Sequence, residues 1–164
     1  MINAPYYDSY IALIEDSDII STLEEQMNST YEFLNNIGEE KGNYAYQPGK
    51  WSIKELVGHL ADSERVFGYR ALRFARNDKT ELAGYEQDDY VANSNFKERT
   101  LKDLAEELLY LRKSNLILFR SFTDDMLKMT GIANESEVSV DALLFIIAGH
   151  EKHHINVIKE KYLN

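Results

Sequence analysis

Ala148-Gly149-His150-Glu151-Lys152-His153-His154 is the stretch on which the reading of this chain turns. On a helix, His150 and His154 stack on one face, about 6 Å apart along the axis. Two imidazoles at that spacing can share one metal ion. Extended in alternating steps of three and four, the same face reads Val140, Leu143, Ile147, His150, His154, Val157, Lys161. Its first half is an apolar core stripe, so the two histidines continue it inward. His153 falls on another line, Ile146, Gly149, His153, Asn156, Glu160, which turns polar. It is expected to point outward.

An imidazole on an inner face must be satisfied. A buried polar group without a partner costs about 1–3 kcal/mol. A hydrogen bond from each histidine to a neighbouring side chain would remove that cost, and so would a shared metal ion. This helix by itself leaves both open.

Composition narrows the choice. The chain has 164 residues, enough for one domain with a core, and 44% of them are hydrophobic. A single domain spanning 1–164 is expected. The net charge of -10 repels phosphate backbones and anionic lipid heads, which argues against nucleic acid and membrane surfaces as partners. The chain contains no cysteine, so disulfides, thiolate ligands and a cysteine nucleophile are excluded. Any metal must be held by histidine, carboxylate or water. The N-terminus shows no basic region followed by an apolar run, so no signal peptide is expected. No apolar run approaches the roughly 18 residues of a membrane span. A cytoplasmic location is the resulting expectation.

Four long amphipathic helices can be traced outward from the histidine stretch, with no strand signal between them. Asp16, Ser17 and Asp18 offer a start for the first, from about Ile19 to Ile37, with an inner stripe of Ile20, Leu23, Met27, Tyr31 or Thr30, and Leu34. Residues 1–15 read as an aromatic lead-in with a short helical turn. Ser52-Ile53-Lys54-Glu55 fits a capping box and opens the second helix, which runs to about Arg76. Its stripe is Ile53, Leu56, Leu60, Phe67, Ala71 and Phe74, with His59 at the edge. Residues 77–99 are acidic and polar, and longer than a hairpin between helices needs. They read as a crossover with some lid character, carrying a short helix near Asp88 to Ala92. Thr100 starts the third helix, whose stripe is Leu101, Leu104, Leu108, Leu111, Asn115, Leu118 and Phe122. An irregular stretch from Thr123 to Val138 follows, and Ser139 caps the fourth helix, which runs to about Tyr162. The fold class is all-α: a four-helix bundle with a long crossover between helices 2 and 3, which makes those two helices roughly parallel.

A bundle can bring His59 beside His150 and His154. Three histidines with an open fourth position are a common catalytic zinc arrangement. Nickel, iron and manganese also accept imidazole. Asp62, one turn from His59, could support a ligand or act as a base, or could lie on a solvated helix face.

The segment from Gln47 to Arg65, with Trp51-Ser52 and Gly58-His59-Leu60, resembles the DinB/YfiT superfamily, as does Gly149-His150-Glu151-Lys152-His153-His154. The match spans nearly the whole chain in helix order. The resemblance implies a four-helix bundle with helices 2 and 3 joined by a long crossover. It also implies a divalent metal ion held by His59, His150 and His154, with zinc or nickel first in line and iron or manganese behind them. Relatives of this type include thiol transferases and isomerases that use low-molecular-weight thiols, and proteins labelled metal-dependent hydrolases. The expected activity is therefore S-transfer or hydrolysis on a small-molecule substrate, with such a thiol as a candidate partner and a homodimer left open. The alternative is a non-catalytic, stress-related bundle with a structural or vestigial metal site.

One competing motif is rejected. His150-Glu151-Lys152-His153-His154 formally fits the H-E-x-x-H signature of zinc proteases. Such proteases take their third ligand downstream, and no histidine follows His154.

Overall fold

The computed structural model describes residues 1–163. Its frame is four long helices: α1 (Ile19–Asn35), α2 (Ile53–Ala75), α3 (Leu101–Phe119) and α4 (Val140–Val157), the last continued by a π-helical turn over Ile158–Tyr162. Local chemistry sets where they begin. Asp18 accepts the Ser21 amide at 3.1 Å, Thr100 accepts the Asp103 amide at 3.1 Å, and Ser52 and Glu55 form a complete capping box. Ser139 holds the N-cap position of α4, but its hydroxyl is turned elsewhere: it accepts the Ile2 amide at 2.9 Å and ties down the N-terminal segment. That segment carries the expected helical turns, over Pro5–Tyr7 and Asp8–Ile11. No helix among the described residues is long and apolar enough to cross a membrane.

The side-chain pairings give the helix directions. Arg65 meets Glu107 and, one turn further on, Gly68 packs against Asn115, so α2 and α3 rise together, in parallel. Gln26 meets Ala148 and Phe33 meets Lys159, so α1 and α4 are also parallel. By contrast Phe67 faces His150 while Trp51 meets Tyr162, so α2 and α4 are antiparallel. Glu24 pairs with Arg120 while Leu34 packs among Leu101, Leu104 and Leu108, which sets α1 antiparallel to α3. A parallel α2 and α3 require the connection to travel back along the bundle. It does so: Phe96 ends against α2 at Gly58, where an added Cβ would collide with the Phe96 ring. The short helix expected in this crossover spans Gln87–Ala92 and buries Val91.

The structure departs from the expected absence of strands. Within the stretch expected to be irregular, a turn of helix over Asp124–Leu127 precedes an antiparallel hairpin, β1 (Thr130–Ala133) and β2 (Ser136–Ser139), paired from Thr130↔Ser139 to Ala133↔Ser136. Leu82 of the crossover joins its edge, donating to the Ile132 carbonyl at 3.0 Å. The inward residues of β1 are Gly131 and Ala133, too small to register as an apolar face, while Ile132 points out. The tight turn is made by Asn134 and Glu135, both at positive φ, with no glycine to mark it.

The core consists of two apolar clusters stacked along the bundle. One holds Leu23, Phe67, Phe74, Leu116, Phe119 and the first turns of α4; the other holds Leu34, Ile53, Leu60, Leu104, Leu108, Ile155 and Ile158. Between them each helix contributes polar groups: Thr30, Glu64, Arg112, and on α4 His150, Glu151 and His154. This layer corrects two stripes. In α1 Thr30, not Tyr31, is the buried alternative. In the second half of α3 the inner line runs through Arg112, Leu116 and Phe119 rather than Leu111, Asn115, Leu118 and Phe122.

Candidate metal centre

α2 and α4 bring three imidazoles to one point. His59 Nε2 lies 3.0 Å from His150 Nε2, and His154 Nε2 lies 3.1 Å from the same atom. One nitrogen from each ring falls within 4.8 Å of the others. His59 and His150 are buried and His154 is partly buried. The capping box at Ser52 fixes the start of α2 just ahead of His59; Trp51, next to the cap, packs at a tilt against His59 with ring centroids 4.9 Å apart.

Burial pushes the His59 pKa down to about 4. Burial, reinforced by the like charges of His59 and His153, pushes His154 down to about 3. Burial and the neighbouring histidines hold His150 well below the ordinary value. All three are therefore neutral near pH 7 and can each offer a lone pair.

The cluster is poorly satisfied by hydrogen bonds alone. A neutral ring nitrogen carries either one proton or one lone pair, so His150 Nε2 can make one good hydrogen bond, yet it faces two nitrogens. His154 Nδ1 is buried with no hydrogen-bond partner among the described residues. A cation at the point of convergence would bind all three Nε2 lone pairs at once, and three neutral imidazoles form a donor set that divalent zinc, nickel or iron accepts. The residues present fit a divalent metal ion.

His150 also borders a cavity of about 300 Å³. The lead-in supplies Tyr6, Tyr7 and Tyr10; α2 supplies Phe67 and Arg70; the crossover supplies Tyr85. Tyr10 reaches its place because the backbone passes very close to α4: a Cβ at Gly149 would collide with the Tyr10 carbonyl. Its ring then sits edge-on to both His150 and His153, at 5.4 Å from each. Tyr85 is held by a 2.8 Å hydrogen bond with Ser63.

The model of the DinB superfamily matches residues 22–158, which takes in the three histidines and all four helices apart from the first residues of α1. This chain belongs to the DinB superfamily. Over 151 residues the DinB chain is 26% identical to a protein of Oceanobacillus iheyensis whose name assigns it provisionally to the metal-dependent hydrolases, covering 89% of this chain and 85% of that one. Among solved structures it is similar to YfiT of Bacillus subtilis, described as a probable metal-dependent hydrolase with an unusual four-helix bundle topology: TM-score 0.75, 19% identity, 98% of this chain and 87% of YfiT covered. It is also similar to a mycothiol-dependent maleylpyruvate isomerase, with TM-score 0.70, 9% identity, and 88% and 61% of the two chains covered. At those identities the two structures speak for the fold.

The remaining residues singled out in the sequence make no hydrogen bond to the three DinB histidines among the described residues. His153 is exposed, as its helical phase requires. Asp62 is half-buried; its carboxylate lies 3.8 Å from Arg65 and makes no hydrogen bond to a histidine among the described residues. Burial raises its pKa, Glu107 adds to the rise, and Arg65 and Arg99 oppose it. Glu151, the acidic residue of the formal H-E-x-x-H match, is not free for chemistry. It is buried, accepts Arg112 Nη2 at 2.6 Å and is bonded by the Thr30 hydroxyl. The sequence reading missed the cavity wall. The tyrosines of residues 6–10 and Arg70 carry no spacing signal, because contacts distant in sequence bring them together.

Proposed function

We propose that this DinB chain is a divalent-metal-dependent enzyme acting on a small-molecule substrate, by hydrolysis or by transfer to a low-molecular-weight thiol. The observation that carries the reading is the convergence of His59, His150 and His154 Nε2 beside a cavity of about 300 Å³. These three side chains would hold the ion, with zinc and nickel the first candidates. A bound divalent ion supplies Lewis acidity that lowers the proton affinity of a water or thiol, giving a nucleophile at neutral pH.

The chain's own residues do the rest. The depressed histidine pKa values keep the three rings unprotonated for coordination. Tyr10 and Phe67 wall His150 with aromatic surface, limiting water near it. Burial raises the pKa values of Tyr10 and Tyr85, so both phenols keep their protons and can donate to a substrate oxygen. The names borne by the Oceanobacillus and Bacillus relatives support hydrolysis, and that of the isomerase keeps the thiol reading in play.

The test has two stages. Chelated protein is titrated with zinc, nickel, iron(II) and manganese, alongside His59→Ala, His150→Ala and His154→Ala. The parent is expected to take up one ion per chain and each variant to bind far more weakly. Loaded protein is then offered aryl esters without thiol, and electrophiles with a low-molecular-weight thiol. Unchanged metal uptake in all three variants overturns the reading. Tight uptake with no turnover in either screen favours a structural site over a catalytic one.

A further inference from the structure

Among the described residues the buried cations are paired, with one exception. Lys54 meets Glu39 at 2.6 Å, and Arg112 meets Glu64 at 3.0 Å and Glu151 at 2.6 Å. Arg70 is 4% exposed, yet among the described residues it forms no ion pair. Its Nη2 donates to the Ala83 carbonyl at 3.0 Å, its guanidinium carbon lies 5.7 Å from the Phe67 ring centroid, and the Tyr7 hydroxyl is within its influence. A guanidinium has five N–H donors, so most of its capacity is left over. Long buried cations are rare without an anion, because removal from water costs several kcal/mol that a carbonyl and a ring offset only in part.

The spare donors have a direction. Arg70 borders the same cavity as His150, and Phe67 touches both: its ring centroid is 6.1 Å from that of His150. On α2, Arg70 follows His59 by three turns on the same face, about 16 Å along the axis, and helical side chains lean back toward the N-terminus. The phenols beside it are donors too, since burial raises the pKa values of Tyr7 and Tyr85. The acidic residue of the lining, Glu86, is exposed and forms no ion pair with Arg70 among the described residues. In a chain of net charge -10, this is a sheltered, donor-rich pocket with a fixed positive charge.

We propose that the cavity recognises a small molecule bearing one oxyanionic group, a carboxylate or a phosphate monoester, which Arg70 binds at one end while the rest of the molecule extends past Phe67 toward the histidines. The orientation rests on the function proposed above; the anion binding does not. The planar fork of the guanidinium matches either group in a bidentate contact. Holding the charge at Arg70 keeps it off the metal centre, so the oxyanion is a handle and not the group that reacts. The cavity size suits a substrate of small-molecule dimensions.

The experiment uses chelated protein, so that an anion cannot be captured by a metal. Binding of 3-phenylpropionate, phenyl phosphate and the uncharged 3-phenylpropionamide is measured by calorimetry. The parent is expected to bind at least one of the two anions, saturably and in preference to the amide, and the tighter anion identifies the oxyanion. Arg70→Gln and Arg70→Met are expected to weaken the anion by about tenfold or more and to abolish its preference over the amide, while Arg70→Lys retains part of it. Two substitutions of different polarity, with thermal melts, guard against a variant that fails to fold. Equal binding of anion and amide by the parent, no saturable anion binding, or an undiminished preference in folded Arg70→Gln overturns the proposal. Metal uptake by the same proteins reads the histidine centre separately.

Discussion

Two buried polar clusters meet on α4 at adjacent residues, His150 and Glu151, and they obey opposite rules. The Glu151 side is closed. Arg112 bonds both oxygens of Glu64 at 3.0 Å, Glu151 at 2.6 Å and the Leu23 carbonyl at 3.3 Å, while Thr30 and Asn115 complete the carboxylates. Every helix of the bundle contributes. The His150 side is open: it has more nitrogens than hydrogen bonds can satisfy, an Nδ1 on His154 with no partner among the described residues, and a cavity alongside. A completed network fixes helix register; an incomplete one beside a cavity is where a ligand is wanted.

The sharpest way to break this contrast is Arg112→Met in metal-free protein. Removing the shared cation leaves two buried carboxylates facing each other, and the expected loss is about 3–5 kcal/mol of unfolding free energy in urea titrations. His150→Ala, also metal-free, removes a nitrogen that cannot satisfy both its neighbours and is expected to cost distinctly less. Equal losses from the two would show that both clusters are structural.

Metal sharpens the comparison from the other side. If the ion binds only the folded chain, it stabilises by about 4 kcal/mol at a thousandfold excess over Kd. Chelation should lower the melting temperature of the parent, and should leave His59→Ala and His154→Ala unmoved. The Glu151 cluster is insensitive to the chelator on this account, so a chelator shift that survives in the histidine variants would place the ion elsewhere.

Acidity produces a smaller effect. His59 has a folded pKa of about 4 against an ordinary 6.5, so the unfolded chain binds the proton first as pH falls. Stability is thus fully present above pH 6.5 and is lost toward pH 4, below which this histidine adds no further loss. By pH 5 the loss from His59 amounts to about 2 kcal/mol in metal-free protein. His154, held down to about 3, contributes in the same sense over a wider window. The difference in unfolding free energy between pH 7 and pH 5 should shrink in His59→Ala. An unchanged difference would mean that the ring is already solvated in the fold.

These sites were legible in the sequence to different degrees, for physical reasons. His150 and His154 announced themselves because an apolar stripe led into them, and His59 through its resemblance to a helix 2 motif. The capping box at Ser52 and the parallel course of α2 and α3 followed from local chemistry and loop length. Arg112 was passed over because Leu111 and Leu118 drew the stripe one residue aside, and a charged residue is a poor core candidate until its partners on other helices are known. The hairpin was missed because Gly131 and Ala133 form its inward face. Arg70 and the tyrosines around it needed the fold to bring residues 6–10 onto α2.

The smallest expected effect lies one residue before the second helix-4 ligand. His153 shares the segment and the imidazole with its neighbours but not their phase: it is exposed, and its close ring contacts are Tyr10 at 5.4 Å and the adjacent His154 at 5.0 Å. His153→Ala should change unfolding free energy by no more than about 0.5 kcal/mol. Metal content and the chelator shift should match the parent, because the ring lies off the line on which His150 and His154 converge with His59. The outcome discriminates because the two candidate pairings on α4 predict opposite results. A metal loss in His153→Ala as large as that in His150→Ala would require the helix to present its 149–153 line inward, and the contrast between the open and closed clusters would fall with it.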